Sequence, residues 1–506
     1  MSAAGTISKK QRLKRIIFFF PFQLVLLHLK KNYILLLFWL LLFGLITQQF
    51  ATKFGIPQLF LYPEYLGKVN FTSHLILGFA VGGFIMAFNI SSYIMNGFRF
   101  PFIATLSRPF IKYCINNFII PFLFFATYLH QLYTYQYNSE LESISNITFN
   151  LFGFITGNLI FIVFTLLYFA GTNKSIAQFF DLKLLQSQAK SKYKANTMVK
   201  DMFYKKEPWY KMFSDERSWE IETYLSNFFK IGLARESKHY DKSMLKKVFE
   251  QNHINASLFE LAVIFSILFL GYFKESAYMV IPAGASVILL LTMFLMLSSA
   301  LHSWLKGWAT FAFILLFLTV NYFSQFAEFN YMNKAYGVDY TIRTDYTTES
   351  INATSQKWQF AKADSLHAIK MLENWKRKFA ASTTKPKLII LNTTGGGLRS
   401  AMWTFSLLQK ADSILESQFS KHTHFIFGSS GGMIGAAFYR ELLLQHFAND
   451  SIKLSNPMYR NNMGMDILNP LAYYIAVNDL FIRYDKFEEN GNVYRKDRGY
   501  IFEKQL

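Results

Sequence analysis

Seven stretches of the chain are apolar almost without interruption, and all fall before residue 330: Tyr33 to Phe50, Phe71 to Met95, Asn117 to Tyr133, Ile147 to Ala170, Ile254 to Phe273, Tyr278 to Ala300 and Trp308 to Phe326. Crossing ~30 Å of hydrocarbon takes roughly 17 to 25 helical residues. The pattern therefore predicts a polytopic α-helical membrane region of seven helices. Two of the stretches are marked by polar residues: Asn117 to Tyr133 carries Pro121 and His130, and Ile254 to Phe273 carries Glu260 one turn inside its start. An earlier run, Ile16 to Leu29, is shorter and holds Pro21, Gln23 and His28, which reads as an interfacial or re-entrant segment. After Phe326 the pattern changes. Residues 327–356 are rich in Tyr, Thr, Asn and Asp and read as a tether. Leu366, Ile369, Leu372, Trp375 and Phe379 then recur every three or four positions, with Lys362, Lys370, Lys376, Arg377 and Lys378 between them. That period predicts a basic amphipathic helix, lying on a membrane surface or against the sheet that follows.

Composition narrows the classes. With 52% hydrophobic and 17% charged residues among 506, a disordered polyelectrolyte is excluded. A single cysteine, Cys114, excludes a disulfide scaffold. The net charge of +20 is unevenly spread. If the N-terminus is cytoplasmic, inside loops before Phe326 hold 27 Lys and Arg, and outside loops hold only Lys53, Lys68 and Lys274. This is the bias expected of an integral membrane protein, placed here in a bacterial inner membrane with Met1 to Arg15 leading into an uncleaved anchor. Seven crossings put the C-terminal region outside the cytoplasm. The segment 171–253 is a basic cytoplasmic insertion in which Lys190, Lys192 and Lys194 precede Trp209, Tyr210 and Trp219. With no nucleic-acid-binding motif present, anionic lipid headgroups are its expected partner and nucleic acid is not. Among the ionisable residues inside the apolar runs, Glu260 and His74 are the candidates for a transport role. Both fall near run ends, where a side chain can reach the interface, and no paired charges mark a transport pathway at mid-depth.

The C-terminal region carries the chemistry. Lys387 to Asn392 is a short apolar run of strand length, followed by Thr393-Thr394-Gly395-Gly396-Gly397-Leu398-Arg399-Ser400 and then a helical pattern. The arrangement repeats with His424 to Phe427, the turn Gly428-Ser429-Ser430-Gly431-Gly432, and Met433 to His446. Two strand–turn–helix units in series predict an α/β layered domain with functional groups at the C-terminal ends of its strands. The second turn fits G-x-S-x-G, in which flanking glycines permit a sharp bend that exposes Ser430 and frees the Gly431 N–H for an oxyanion. The three-glycine turn, 33 residues earlier, can supply further backbone donors at a helix N-terminus. A phosphate-binding P-loop is disfavoured, since no Gly-Lys-Ser/Thr follows the glycines. Only His446 follows Ser430, on the same predicted helix, so a Ser-Asp-His triad in α/β-hydrolase order is not available. No cluster has metal-ligand spacing, and neither metal nor cofactor is expected.

Gly395-Gly396-Gly397-Leu398-Arg399 followed by Gly428-Ser429-Ser430-Gly431-Gly432 resembles the patatin-like phospholipase family. The resemblance covers Lys387 to Leu506 and implies a three-layer α/β/α domain that hydrolyses lipid acyl esters through a Ser-Asp dyad. Carried over, it makes Ser430 the nucleophile, the Gly396, Gly397 and Leu398 amides the oxyanion hole together with Gly431, and Arg399 the residue that steadies the loop. Two positions depart from the family pattern. Thr394 stands where an acidic residue is common, and none of Asp450, Asp466, Asp479, Asp485 and Asp497 precedes a glycine as the dyad aspartate does. The expectation is a patatin-like domain truncated at its C-terminus, with the dyad Asp beyond Leu506. The alternative is an inactive membrane protein whose α/β domain binds lipid or a partner. The expected organisation is thus a membrane region over 1–326, a tether and amphipathic helix over 327–386, and a partial hydrolase domain over 387–506.

Overall fold

The computed structural model describes residues 15–173, 175, 221–227, 230–234, 237, 240, 242–305, 308–323, 326, 339–343, 345–449, 451–480, 485–489 and 491–505. Most of the basic insertion, including its lysine triplet and its tryptophans, lies outside them, as does part of the tether. The chain divides into two compact units, Met1–Tyr331 with Ile467–Lys504, and Met332–Asp466 with Gln505–Leu506.

The first unit is a helical bundle built from α1 (Phe20–Lys31), α2 (Tyr33–Ile46), α3 (Phe71–Asn96), α4 (Pro109–Asn116), α5 (Ile119–Asn138), α6 (Ile144–Thr172), α7 (Lys242–Leu270), α8 (Ala283–Leu305) and α9 (Ala309–Phe323). Among the described residues four helices are long and apolar enough to cross a membrane, namely α3, α6, α7 and α8 with short extensions, and the number rises to six if each of two bent pairs counts as one span. This corrects the seven expected from the apolar runs. Helix α1, which carries most of the stretch Ile16 to Leu29, turns into α2 through 99° at Asn32, the geometry of a broken span or of a re-entrant segment, and α4 turns into α5 through 53°. The last run forms a helix of only 15 residues.

Helix α3 is the bundle's axis, buried over most of its length. It touches α6 backbone to backbone. A Cβ on Gly78 or Gly157 would overlap the carbonyls of Phe154 and Leu75, and one on Gly82 would sit 2.7 Å from the Asn158 carbonyl. Gly78/Gly82 and Gly153/Gly157 are two G-x-x-x-G pairs facing each other, the small-residue pattern by which apolar helices gain close packing.

The two bends meet in a buried polar network. His28 Nε2 lies 2.9 Å from Asn117 Oδ1, Asn32 Nδ2 lies 3.0 Å from His28 Nδ1, and Asn117 Nδ2 donates to Asn89 Oδ1 at 3.1 Å. The polar side chains at each break are thus answered from the opposite break and from α3, while the Asn32 and Asn117 N–H groups bond to carbonyls within their own turns. His74 is equally enclosed, between Gln136 Nε2 at 2.9 Å and the Asn70 carbonyl at 2.8 Å. It does not reach an interface as its position near a run end implied. The same holds for Glu260: α7 begins at Lys242, so the residue lies deep within the helix and is wholly buried.

The end of the chain returns to this bundle. In α14 (Leu468–Tyr474, numbered after the helices of the second unit) and the π-helical turn Ile475–Asp479, Tyr473, Ala476 and Val477 pack on Ile267 and Met293. Asn469 accepts from the Ala283 N–H at 2.6 Å and donates to the Glu64 carbonyl at 2.7 Å. Lys274, buried, pairs with Asp485, and Lys496 with Glu275 at 2.6 Å. One domain over 387–506 was expected. The α/β unit instead ends at Asp466, because the apolar face of residues 467–479 finds its partner in the bundle.

The second unit contains α10 (Trp358–Arg377), β3 (Ile389–Thr393), α11 (Gly397–Ile414), β4 (Thr423–Gly428), α12 (Ser430–Ala448) and α13 (Pro457–Met463), with β1 (Thr223–Asn227) and β2 (Lys230–Leu233) belonging to the first. Strands β3 and β4 are parallel, with Leu391 opposite Ile426 and Thr393 opposite Gly428. Phe405 and Leu408 of α11 bury against Ala436, Tyr439 and Leu442 of α12. Both strand–turn–helix units are therefore present and adjacent. Among the described residues their sheet has two strands, a smaller object than the expected three-layer domain. Helix α10 forms where the period predicted. Its C-terminal end packs, with Trp375 buried and Phe379 stacked on His422 at 4.4 Å, while Leu366 and Ile369 stay exposed.

Candidate active site

Parallel pairing of β3 with β4 brings the ends of both strands side by side, so the two glycine turns must meet. They meet closely. A Cβ on Gly431 would overlap the Gly397 carbonyl, one on Gly432 the Thr394 carbonyl, and one on Gly435 the Ala401 carbonyl. A Cβ on Gly395 would stand 3.3 Å from Ser430 Cβ and 3.8 Å from its Oγ. No residue but glycine fits at 431, 432 or 435 without moving the other turn.

Ser430 has φ +52°, a left-handed conformation that costs a non-glycine residue of order 1 kcal/mol or more. Such strain persists only where surroundings impose it. Here β4, ending at Gly428, and α12, starting at Ser430, leave one residue in which to turn, which is the geometry of a nucleophile elbow. The side chain is exposed, and among the described residues nothing hydrogen-bonds to Ser430 Oγ.

Backbone donors converge on the same place. Gly397, Leu398 and Arg399 are the first residues of α11, and Ser430, Gly431 and Gly432 the first of α12. The N–H groups of a helix's first turn have no acceptor within the helix, and no side chain caps either N-terminus. Two helix N-termini with uncapped donors therefore flank Ser430, a setting suited to developing negative charge. Gly396, with φ +156°, and Gly397, with φ +62°, are the backbone hinges that turn α11 toward it.

The other candidates fall out differently. Arg399 is exposed, and among the described residues no hydrogen bond or ion pair ties its side chain to the loop. What closes the loop is Ser400, whose Oγ donates to the Thr394 carbonyl at 2.8 Å, helped by Thr393 Oγ1 on the Phe427 carbonyl at 3.3 Å. Ser400 was not among the expected site residues; a Ser or Thr just inside a helix that follows a glycine turn is the signal that marks it. His446 is held by its Nδ1 to the Ile452 carbonyl at 2.6 Å.

No aspartate of the unit is shown beside Ser430. Asp412 accepts from Tyr439 OH at 2.5 Å, from the Ser420 N–H at 2.8 Å and from the Ser420 hydroxyl. It lies fifteen residues beyond Gly397 on α11, ~22 Å along the axis. Burial, with the Asp412 carboxylate beside it, pushes the Tyr439 phenol above its ordinary range, as befits a structural donor. Asp485 and Asp497 are engaged in the membrane unit, with Lys274 and with the Gly499 and Tyr500 N–H groups. Asp450 lies outside the described residues. Among the described residues no three His, Cys, Asp or Glu side chains converge as metal ligands would.

A cleft of ~920 Å³ in the same unit does not include Ser430. It opens beside the start of β4, lined by the apolar Leu391, Ile426, Leu443 and Phe447 and by three cations, Lys378, Lys421 and Arg440, against one carboxylate, Glu416.

Comparison with models of known protein families, with curated proteins and with solved structures finds no match.

Proposed function

We propose that the chain is a membrane-anchored serine acyl hydrolase acting on lipid esters, of the patatin-like kind, with Ser430 as nucleophile. The observation that carries this reading is the strained, exposed Ser430 between two uncapped helix N-termini, with glycines at every position where the turns touch. In this reading Ser430 Oγ attacks the ester carbonyl, and the carbonyl oxygen, now negative, is received by the N–H groups of Gly431 and of the Gly396–Leu398 turn. A carboxylate supplied from outside the described residues takes the serine proton and passes it to the departing alcohol. Water then attacks the acyl-Ser430 ester, losing its proton to the same base, and frees the acid.

A fluorophosphonate probe tests the nucleophile directly. Covalent labelling of the full-length protein at Ser430, lost in Ser430→Ala together with hydrolysis of phospholipid or short-chain ester, supports the reading; hydrolysis that survives Ser430→Ala sinks it. A second reading is favoured by the cleft. An apolar lining joined by Lys378, Lys421 and Arg440 suits an anionic amphiphile, so the unit would bind lipid without cleaving it. Absence of labelling combined with saturable binding of anionic lipid that Lys421→Glu weakens would select it.

A further inference from the structure

The bundle conceals a carboxyl that the hydrolase reading does not use. Glu260 on α7 is fully buried, with neither oxygen hydrogen-bonded. Ser257, one turn earlier on the same face, and Ser299 on α8, which faces the carboxyl, are buried as well, and their hydroxyls also lack partners. Four unpaired oxygens thus gather at one crossing of apolar helices. A third helix joins there: Ser91 Oγ of α3 reaches the Leu295 carbonyl, one turn from Ser299, at 3.4 Å.

Among the described residues of the helices packed here, an ionised carboxylate in this place would have no counter-charge. Helices α3, α6 and α8 contain no Lys, Arg, Asp or Glu, and on α7 the nearest charged residue before Glu260 is Glu250, almost three turns away. The titratable groups on the neighbouring turns of the packed helices are histidines and tyrosines. His253 precedes it by two turns on α7 with its ring 5.6 Å from Tyr93 of α3, His302 follows Ser299 by one turn on α8, and Tyr168 of α6 stacks near Phe259 at 5.0 Å. Burying an unpaired charge costs several kcal/mol even after relaxation. Adding one proton removes that cost and supplies the missing donor: the carboxyl O–H can donate to Ser299 Oγ, and the Ser257 hydroxyl can donate to the carbonyl oxygen.

We propose that Glu260 is a proton-binding site inside the membrane unit, a neutral carboxyl clamped between the Ser257 and Ser299 hydroxyls. His253 and His302 are only partly buried and lie toward the same end of α7 and α8, so protons reach the site from that end.

Dicyclohexylcarbodiimide, an apolar reagent for protonated carboxyls, tests the site in the full-length protein held in lipid. The carboxyl proton passes to a carbodiimide nitrogen as the carboxyl oxygen bonds to its carbon, and migration of the acyl group to nitrogen leaves a stable adduct. The expected result is an adduct on the Glu260 peptide by mass spectrometry, absent in Glu260→Gln, with a yield that falls by about tenfold per pH unit once the carboxyl ionises. Infrared difference spectra between the wild type and Glu260→Gln should show the protonated-carboxyl stretch, and the variant, isosteric with the neutral acid, should melt within a few degrees of the wild type. An unlabelled Glu260 at every pH, with no protonated-carboxyl band lost in Glu260→Gln, would overturn the proposal. So would a Glu260→Gln protein that unfolds while Glu260→Asp remains folded and unlabelled, because a required negative charge would then be the better description.

Discussion

Glycine lets backbones touch in both units, and the two results differ. Between α3 and α6, the pairs Gly78/Gly82 and Gly153/Gly157 bring two helices into contact through their middles, where the backbone groups are already bonded within each helix. Between the turns of the α/β unit, Gly431, Gly432 and Gly435 bring two helix N-termini together, and the leftover is chemical: free N–H donors and a serine forced to φ +52°. The same lack of a Cβ gives close packing where helices pass side by side and, where they start side by side, a cluster of unsatisfied donors that the proposed hydrolase would use. What decides is which part of the helix is exposed by the close approach, its saturated middle or its unsaturated first turn.

That contrast can be broken from either side. The largest effect is expected at Gly431→Ala: the added methyl pushes the Gly397 turn away and displaces an oxyanion donor. Ester hydrolysis should fall about 10²- to 10³-fold, measured as kcat/KM, while the melting of the membrane unit stays unchanged. Next comes Gly157→Val, which forces the Leu75 backbone away from α6. It should destabilise the bundle by about 1–3 kcal/mol in a detergent thermal melt, the range of overpacked interiors. Gly171→Ala, whose added carbon meets nothing within 4 Å, is the control and should leave the melt unmoved. If Gly157→Val is silent, close backbone packing is not what holds α3 to α6.

How far the sequence foretold this depended on whether the signal was local. Both strand–turn–helix units, their order and the position of Ser430 were legible, because strand length, glycine spacing and helical period are all properties of neighbouring residues. The helix from Trp358 was legible for the same reason. The membrane count was not. Hydropathy sees Ile16 to Leu29 and Tyr33 to Phe50 as two runs, and cannot see that they form one bent pair at Asn32, where His28, Asn117 and Asn89, far apart in sequence, satisfy one another. The end of the α/β unit was missed likewise: Tyr473 and Val477 look like any core residues until Ile267 and Met293 are seen across from them. The facing G-x-x-x-G pairs were readable and were passed over. At the site, Arg399 drew attention by resemblance, while Ser400, which closes the glycine turn, carries no charge to flag it.

Ser400→Ala turns that last point into a smaller test. Losing the bond to the Thr394 carbonyl should cost about 0.5–1.5 kcal/mol of loop order, read as a several-fold drop in fluorophosphonate labelling rate at Ser430, and Arg399→Ala should cost less. The reverse ranking would return the loop-steadying role to Arg399.

The smallest effect is expected where the units' shared device is absent and charge does the joining. Glu275 is bonded by Lys496 at 2.6 Å and approached by Lys504 at 3.6 Å, so the returning end of the chain is clasped by a carboxylate with two cations. The hydrogen bond from Lys496 comes first among the influences that hold the Glu275 carboxyl below its ordinary range. A carboxyl lowered by folding stabilises the folded state above its unfolded pKa and gives that stability up as pH falls through the lowered one, so the clasp should be intact at neutral pH and weaken only in acid. The pair is solvent-exposed and screened, which keeps its contribution small. Glu275→Gln should therefore shift the melt slightly at neutral pH and low salt, and the shift should vanish both in strong acid and in high salt. A shift that persisted in acid would mean that packing of Tyr473 and Val477, rather than the charged clasp, registers the substitution.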